Sequence, residues 1–208
     1  MAVMTENVKG QREYRGSSGA DRMRERRERL IEAAIAVYAE RGYPKASVRA
    51  ICKEAKLTER YFYESFASGE DLLVAAFETI SDELFEVVDA ADSGGEPEQR
   101  IHARLRAYYD ALHQRPSATR VFFIDTVNVS KRVDVLFEHA IRRFERGMAE
   151  LLDMPAPASD TVDLRLRGVS GGLHQIALAW MREDFARPTT EVVEIALRFC
   201  LAIRGTGM

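Results

Sequence analysis

Tyr61, Phe62 and Tyr63 stand in a row inside LTERYFYESF, Leu57 to Phe66, among Glu59, Arg60 and Glu64. Phe62 and Phe66 are four apart, so on a helix they share one face and point into a small core with Ile51 and Leu57. Glu59, Arg60, Tyr61, Tyr63 and Glu64 then face outward. Such side chains suit recognition rather than bond cleavage. Groups near a helix start reach base edges in a DNA groove, and hydroxyls further along reach phosphate oxygens.

Catalytic patterns are missing. The chain has no Gly-rich phosphate loop and no serine nucleophile elbow. His102, His113, His139 and His174 are scattered, without the spacing of a metal site, and no cofactor is expected. Cys52 and Cys200 are the only cysteines, which makes no disulfide framework and fits a reducing cytoplasm. Cys52 lies among Arg49, Lys53 and Lys56 and reads best as a small helix-surface residue, with a redox role the weaker alternative.

The elements that position these groups read as an all-α chain of about nine helices. Residues 1–21 are polar and glycine-rich and read as a mobile basic arm with Lys9, Arg12 and Arg15. Arg24 to Arg41 forms a first helix that stops at Gly42. A short helix runs from Ser47 through Ala55, and another from Thr58 to about Ser65. Joined by a tight turn at Lys56-Leu57, they make a helix-turn-helix. Ser68 caps a long fourth helix, with Asp71 placed to complete a capping box. A break follows at Ser93-Gly94-Gly95-Glu96-Pro97. Helices marked by Ile101 to Leu112 and by Val133 to Leu151 come next, with the short apolar piece Val121 to Val129 between them. Val162 to Phe185 and Thr189 to Ile203 complete the chain.

Glu28 to Leu73 resembles the DNA-binding domain of the TetR (tetracycline-repressor-like) transcriptional regulators. The resemblance rests on Ala33-Ala34, Gly42-Tyr43, Ser47-Val48, Ile51, Ala55, Leu57-Thr58, Tyr63, Phe66 and Asp71-Leu72-Leu73. It implies that the hydroxyls of Ser47, Thr58 and Tyr63 contact phosphates and that Glu59, Arg60 and Tyr61 read bases. Residues 22–70 would then be the DNA-binding domain and 71–208 a body that binds an effector and dimerises. Two departures stand out. Lys56 replaces the usual turn glycine, which asks for a left-handed backbone. Gly69 replaces a lysine that normally contacts phosphate.

Charge is distributed accordingly. The chain has 208 residues and a net charge of −3. Residues 1–60 carry a balance of +5 and the remainder −8, a basic module on an acidic body. Met1 to Gln11 has no apolar run, so no signal peptide is expected, and no segment is apolar enough to span a membrane.

The body supports a second role. Leu166, Val169, Leu173, Ile176, Ala177 and Trp180 form one stripe of the Val162–Phe185 helix, while its opposite side is also low in charge. Its glycines, Gly168, Gly171 and Gly172, suggest close approach of another helix. Leu164, Gly168, Gly171, Gln175, Val192, Ala196 and Phe199 are therefore expected in a dimer interface made by the last two helices. Tyr108, Tyr109, Phe122, Phe123, Phe137, Phe144, His174 and Trp180, with polar Asp125 and Asn128, are candidates for an apolar effector pocket. The expected protein is a homodimeric cytoplasmic repressor, released from a palindromic double-stranded DNA operator by a small hydrophobic effector. The alternative is an all-helical enzyme or carrier whose N-terminal hairpin is structural.

Overall fold

The computed structural model describes residues 19–91, 94–125, 129–155 and 162–204, with the side chains of Ile124 and Asp125 excepted. Residues 1–18 of the expected basic arm, Ser93, Asn128 and Pro157 lie outside the described residues, while residues 19–21 belong to the first helix rather than to an arm. Among those described there are nine α-helices and no strand.

Helix α1 spans Gly19–Arg41 and starts earlier than its apolar stripe suggests. Nothing after Gly19 breaks a helix, and Asp21 pairs with Arg24 at 3.0 Å one turn on. Gly42, at φ 77°, turns the chain out of α1 into a single 3-10 turn, Tyr43–Lys45. Helix α2, Val48–Ala55, begins where Ser47 Oγ accepts the Ala50 amide. It ends at Lys56, which does take the left-handed conformation, φ 53° and ψ 43°. Helix α3, Glu59–Ser65, follows after Leu57 and the extended Thr58.

Helix α4, Gly69–Ala90, is the longest in the body. Ser68 Oγ accepts the Asp71 amide, as the cap requires, and its hydroxyl donates to Asp71 Oδ2 at 2.9 Å. Helices α5, Pro97–Gln114, and α6, Pro116–Arg120, both open on proline, where a missing N–H is harmless. The apolar piece Val121–Asp125 continues α6 as a π-helical turn. Helix α7 is Lys131–Ala149, α8 Leu164–Arg182 and α9 Thr189–Arg204. Asp163 caps α8 through the Arg165 and Leu166 amides, so α8 begins after Val162. Asp184 and Phe185 are left-handed, which ends α8 before Phe185 and folds that ring back onto Trp180 and His113.

Helix α1 packs against α2, α3 and α4, and also against α6 and the π-turn. It is the element common to both halves of the molecule. Three of its arginines hold the small helices in place. Arg29 donates to the Ala55 carbonyl at the C-terminus of α2. Arg27 donates to the Ser65 carbonyl at the end of α3 and lies 4.3 Å over the Phe66 ring. Arg26 lies over Tyr61. Both carbonyls would otherwise be unpaired helix ends. One buried group in this region has no partner among the described residues, the hydroxyl of Tyr38, whose ring meets Tyr43 edge-on.

In the body α5 packs along α9, and α8 packs on α7 and α9. Between α7 and α8 runs an ion network. Arg167 donates to both oxygens of Glu138, at 3.0 and 2.7 Å, and to buried Glu145 at 2.6 Å. Arg142 also donates to Glu138.

Candidate DNA-binding face and effector cavity

The candidate recognition face is built on α2 and α3. Phe62 and Phe66 are buried with Ile51, while Leu57 is half-buried at the edge of the same core. That anchoring leaves Ser47, Thr58, Glu59, Arg60, Tyr63 and Glu64 exposed. Tyr63 is 63% exposed, with its ring edge-on to Phe62, which fixes the ring and leaves the hydroxyl outside. The Thr58 side chain makes no capping bond, so its hydroxyl is available. Arg60 pairs with Glu64 at 2.9 Å on the outer surface. Tyr61 departs from expectation. It is half-buried, because the Arg26 guanidinium covers it 4.4 Å from the ring centre. Arg26 itself carried no sequence signal, since its partner lies on another helix.

Gly69 opens α4 beside Tyr43, whose hydroxyl lies 4.0 Å from where a Cβ would sit. A side chain at 69 therefore has room. The next two residues are tied to the start of α7. Ser130 donates to Glu70 at 2.5 Å, and Arg132 pairs with Asp71.

Cys52 is buried rather than on the helix surface, and burial pushes its thiol pKa up. The surrounding basic residues do not activate it, because the α2 face that carries Cys52 is the one packed inward. No metal-binding cluster of His, Cys, Asp and Glu occurs among the described residues.

The body holds an aromatic chamber of about 40 Å³ between α4, α5, the π-turn, α7 and α8. Tyr108, Phe122, Phe123, Phe137, Phe144 and His174, all candidates from the sequence, line it. Phe85, Ser170 and Leu173 also line it and were not anticipated. Phe85 sits on an α4 face that looks like ordinary core, and Ser170 is a small residue within an apolar stripe. Tyr109 and Trp180 do not reach the chamber. Tyr109 donates to the Leu173 carbonyl, and the Trp180 indole donates to the Arg187 carbonyl. Both rings are core, satisfied by backbone. The Asp125 side chain and Asn128 lie outside the described residues.

Tyr108 and His174 make no hydrogen bond to any described residue, although both line the chamber. Burial pushes the Tyr108 pKa up and the His174 pKa down, so both are neutral at physiological pH. A second, half-open cleft of about 120 Å³ lies between α4, α5 and α6. It shares one residue with the chamber, Phe122.

The dimer candidates divide. Leu164 is 80% exposed, and Gly168, Gly171 and Gln175 are exposed beside it on α8. Ile195, also exposed, lies outward on α9, whereas half-buried Phe199 turns its ring tip toward Gly172 of α8. Val192 and Ala196 do not lie outward. They are 2% and 0% exposed, buried within the chain, where α9 packs on α5 and α8. The α9 stripe was assigned to the wrong side because both of its faces are apolar. The close approach expected of the α8 glycines occurs inside the subunit, at Gly172. A Cβ there would sit 2.5 Å from Phe199 Cζ.

Residues 30–76 match the family profile described as bacterial regulatory proteins, tetR family. The HTH-type transcriptional repressor KstR2 of Mycobacterium tuberculosis is 30% identical over 135 residues, 56% of this chain and 68% of that protein. The chain belongs to the TetR family. KstR of Mycolicibacterium smegmatis is 26% identical to this TetR-family chain over 189 residues, 88% of this chain and 90% of that repressor. The fold is also that of two solved regulators. FadR of Bacillus halodurans superposes with a TM-score of 0.72 at 18% identity, covering 85% of this chain and 94% of that one. FadR of Bacillus subtilis, solved in complex with stearoyl-CoA, gives 0.71 at 16%, with 85% and 98% covered. As a TetR-family member the chain is a DNA-binding regulator of transcription, and the enzyme reading is set aside. No helix among the described residues is long and apolar enough to cross a membrane.

Proposed function

We propose that this chain is a homodimeric repressor that holds a near-palindromic operator through two copies of α3 and leaves it when an apolar effector enters the body. The observation that carries the DNA half is the division of α3. Two phenylalanines anchor it, and Glu59, Arg60 and Tyr63 are left in solvent on a basic module. In this reading Ser47, Thr58 and Tyr63 hold phosphates, while Glu59, Arg60 and Tyr61 address base edges. Residues 22–70 form the head and the rest the effector and dimer body.

The aromatic chamber supports an apolar effector, as does the stearoyl-CoA seen in the Bacillus subtilis FadR. Repression is supported by the naming of both KstR relatives as repressors. The exposed apolar stripe Leu164, Gly168, Gly171 on α8 with Ile195 on α9 supports dimerisation there. By linkage, an effector that weakens DNA binding is itself bound more weakly in the presence of DNA, by the same factor.

Fluorescence anisotropy with DNA from upstream of the chain's own gene, read together with light scattering, tests this. The expected result is two subunits per site and no comparable binding to scrambled DNA. Binding by a monomer, or equal affinity for scrambled DNA, would sink the proposal.

A further inference from the structure

We infer that the chamber and the neighbouring cleft form one elongated site, divided by the Phe122 ring, for a slender apolar molecule whose only polar group is uncharged: an alcohol, a ketone or an ester-type carbonyl rather than a free carboxylate. This rests on the effector reading above.

The division follows from volume. A chamber of about 40 Å³ is too small for a ligand of ordinary size, and the cleft beside it adds about 120 Å³. Phe122 lines both. Its ring stacks flat on Phe77, 5.2 Å between centres, and belongs to the π-turn, where the helix is locally widened. In this inference that one ring is the partition, and its rotation is the movement that would join the two spaces.

The charge preference follows from the polar groups at each end. Inside the chamber the side chains with unused hydrogen-bonding capacity toward described residues are Tyr108 and His174, both neutral. Ser170 is engaged, within 3.2 Å of Glu145 Oε1 and 3.1 Å of the Arg167 carbonyl. A single oxygen can accept from the tyrosine hydroxyl and from the imidazole N–H. At the mouth of the cleft, Arg115 is bonded to Glu83 of α4 and, at 3.0 and 3.1 Å, to both oxygens of Glu32 of α1. One cation between two carboxylates leaves a net negative mouth. A ligand carboxylate would meet that charge outside and no cation among the described lining residues inside, a burial that is strongly unfavourable.

The test uses decanol, methyl decanoate and decanoate as probes at neutral pH, with thermal shift for binding and operator anisotropy for release. Decanol and methyl decanoate should raise the melting temperature and release DNA. Decanoate should bind at least about tenfold more weakly. His174→Phe with Tyr108→Phe should weaken the two neutral probes about tenfold while leaving operator affinity unchanged. Glu83→Gln frees one edge of Arg115 and should admit decanoate. Decanoate binding as well as decanol to the wild type would overturn the inference, and so would neutral probes indifferent to the double variant. Operator binding with no response to any probe would overturn it while the DNA reading stands. Probe binding by a protein that ignores its operator would leave this site intact and sink the DNA reading instead.

Discussion

The guanidinium of Arg26, on α1, lies 4.4 Å from the centre of the Tyr61 ring on α3. A guanidinium stacked on a ring keeps its N–H edge free for a phosphate and holds the ring against rotation. Arg26→Gln should therefore loosen Tyr61 and reduce discrimination between operator and random DNA by roughly 0.5–1 kcal/mol. Tyr63→Phe keeps the packing on Phe62 and removes one hydroxyl. It should weaken binding by about 1 kcal/mol on all sequences alike. Competition titrations separate the two. Loss of discrimination in Tyr63→Phe would make Tyr63 a base reader.

Gly69→Lys restores a cation where α4 begins, and the site has room for it. On the operator it should add up to about one unit per subunit to the salt dependence and tighten binding. Titrations at several salt concentrations measure the slope. An unchanged slope with unchanged affinity would mean that the start of α4 does not face the DNA backbone.

Gly172 and Gly171 are adjacent and should behave in opposite ways. A Cβ at 172 collides with Phe199, so Gly172→Ala should destabilise the fold by about 1–3 kcal/mol in urea melts. Gly171 faces open space within the chain, and Gly171→Ala should raise subunit stability by up to about 1 kcal/mol. Gly171→Leu should instead break the dimer, seen as monomer in light scattering. A normal dimer would place the interface elsewhere.

The Arg167 side chain beside Glu138 holds that carboxyl below its usual pKa. A depressed folded-state pKa gives stability that is present above the unfolded value and lost as pH falls through the folded one. Thermal melts should thus show acid destabilisation that Arg167→Gln flattens. If the variant and the wild type lose stability in parallel, the α7–α8 network does not govern the acid limb.

Tyr38→Phe removes a buried hydroxyl that has no partner among the described residues. The protein should be as stable as before, or more stable by about 1 kcal/mol. A loss of that size in a chemical melt would show that the hydroxyl is bonded in solution.

What the sequence reveals follows from locality. The helix-turn-helix is legible because its signals are short-range: Ser47 and Ser68 as caps, the left-handed Lys56 and the four-residue spacing of Phe62 and Phe66. Rings that line the chamber were half legible. Aromatic type marks both Phe123 and Trp180, yet only the fold shows that Arg187 satisfies the indole. The α9 expectation fails at Val192 and Ala196 because a helix apolar on two sides does not say which side is buried within its own chain. The Arg26–Tyr61 and Arg115–Glu32 contacts join residues distant in sequence, and no periodicity announces them.

Helix α1 touches α6 and the π-turn as well as α2 and α3, and α4 buries Leu72 to Phe77 near its start and Ile80 to Val88 further on. The head is thus not a detachable reading unit. A peptide ending soon after Ser65 would remove the α4 surface against which α1 packs, and it should be insoluble or molten. Hybrids that exchange heads between relatives face the same restriction. They need to carry the first turns of α4 with the donor head and keep Glu32 matched to its arginine in the recipient.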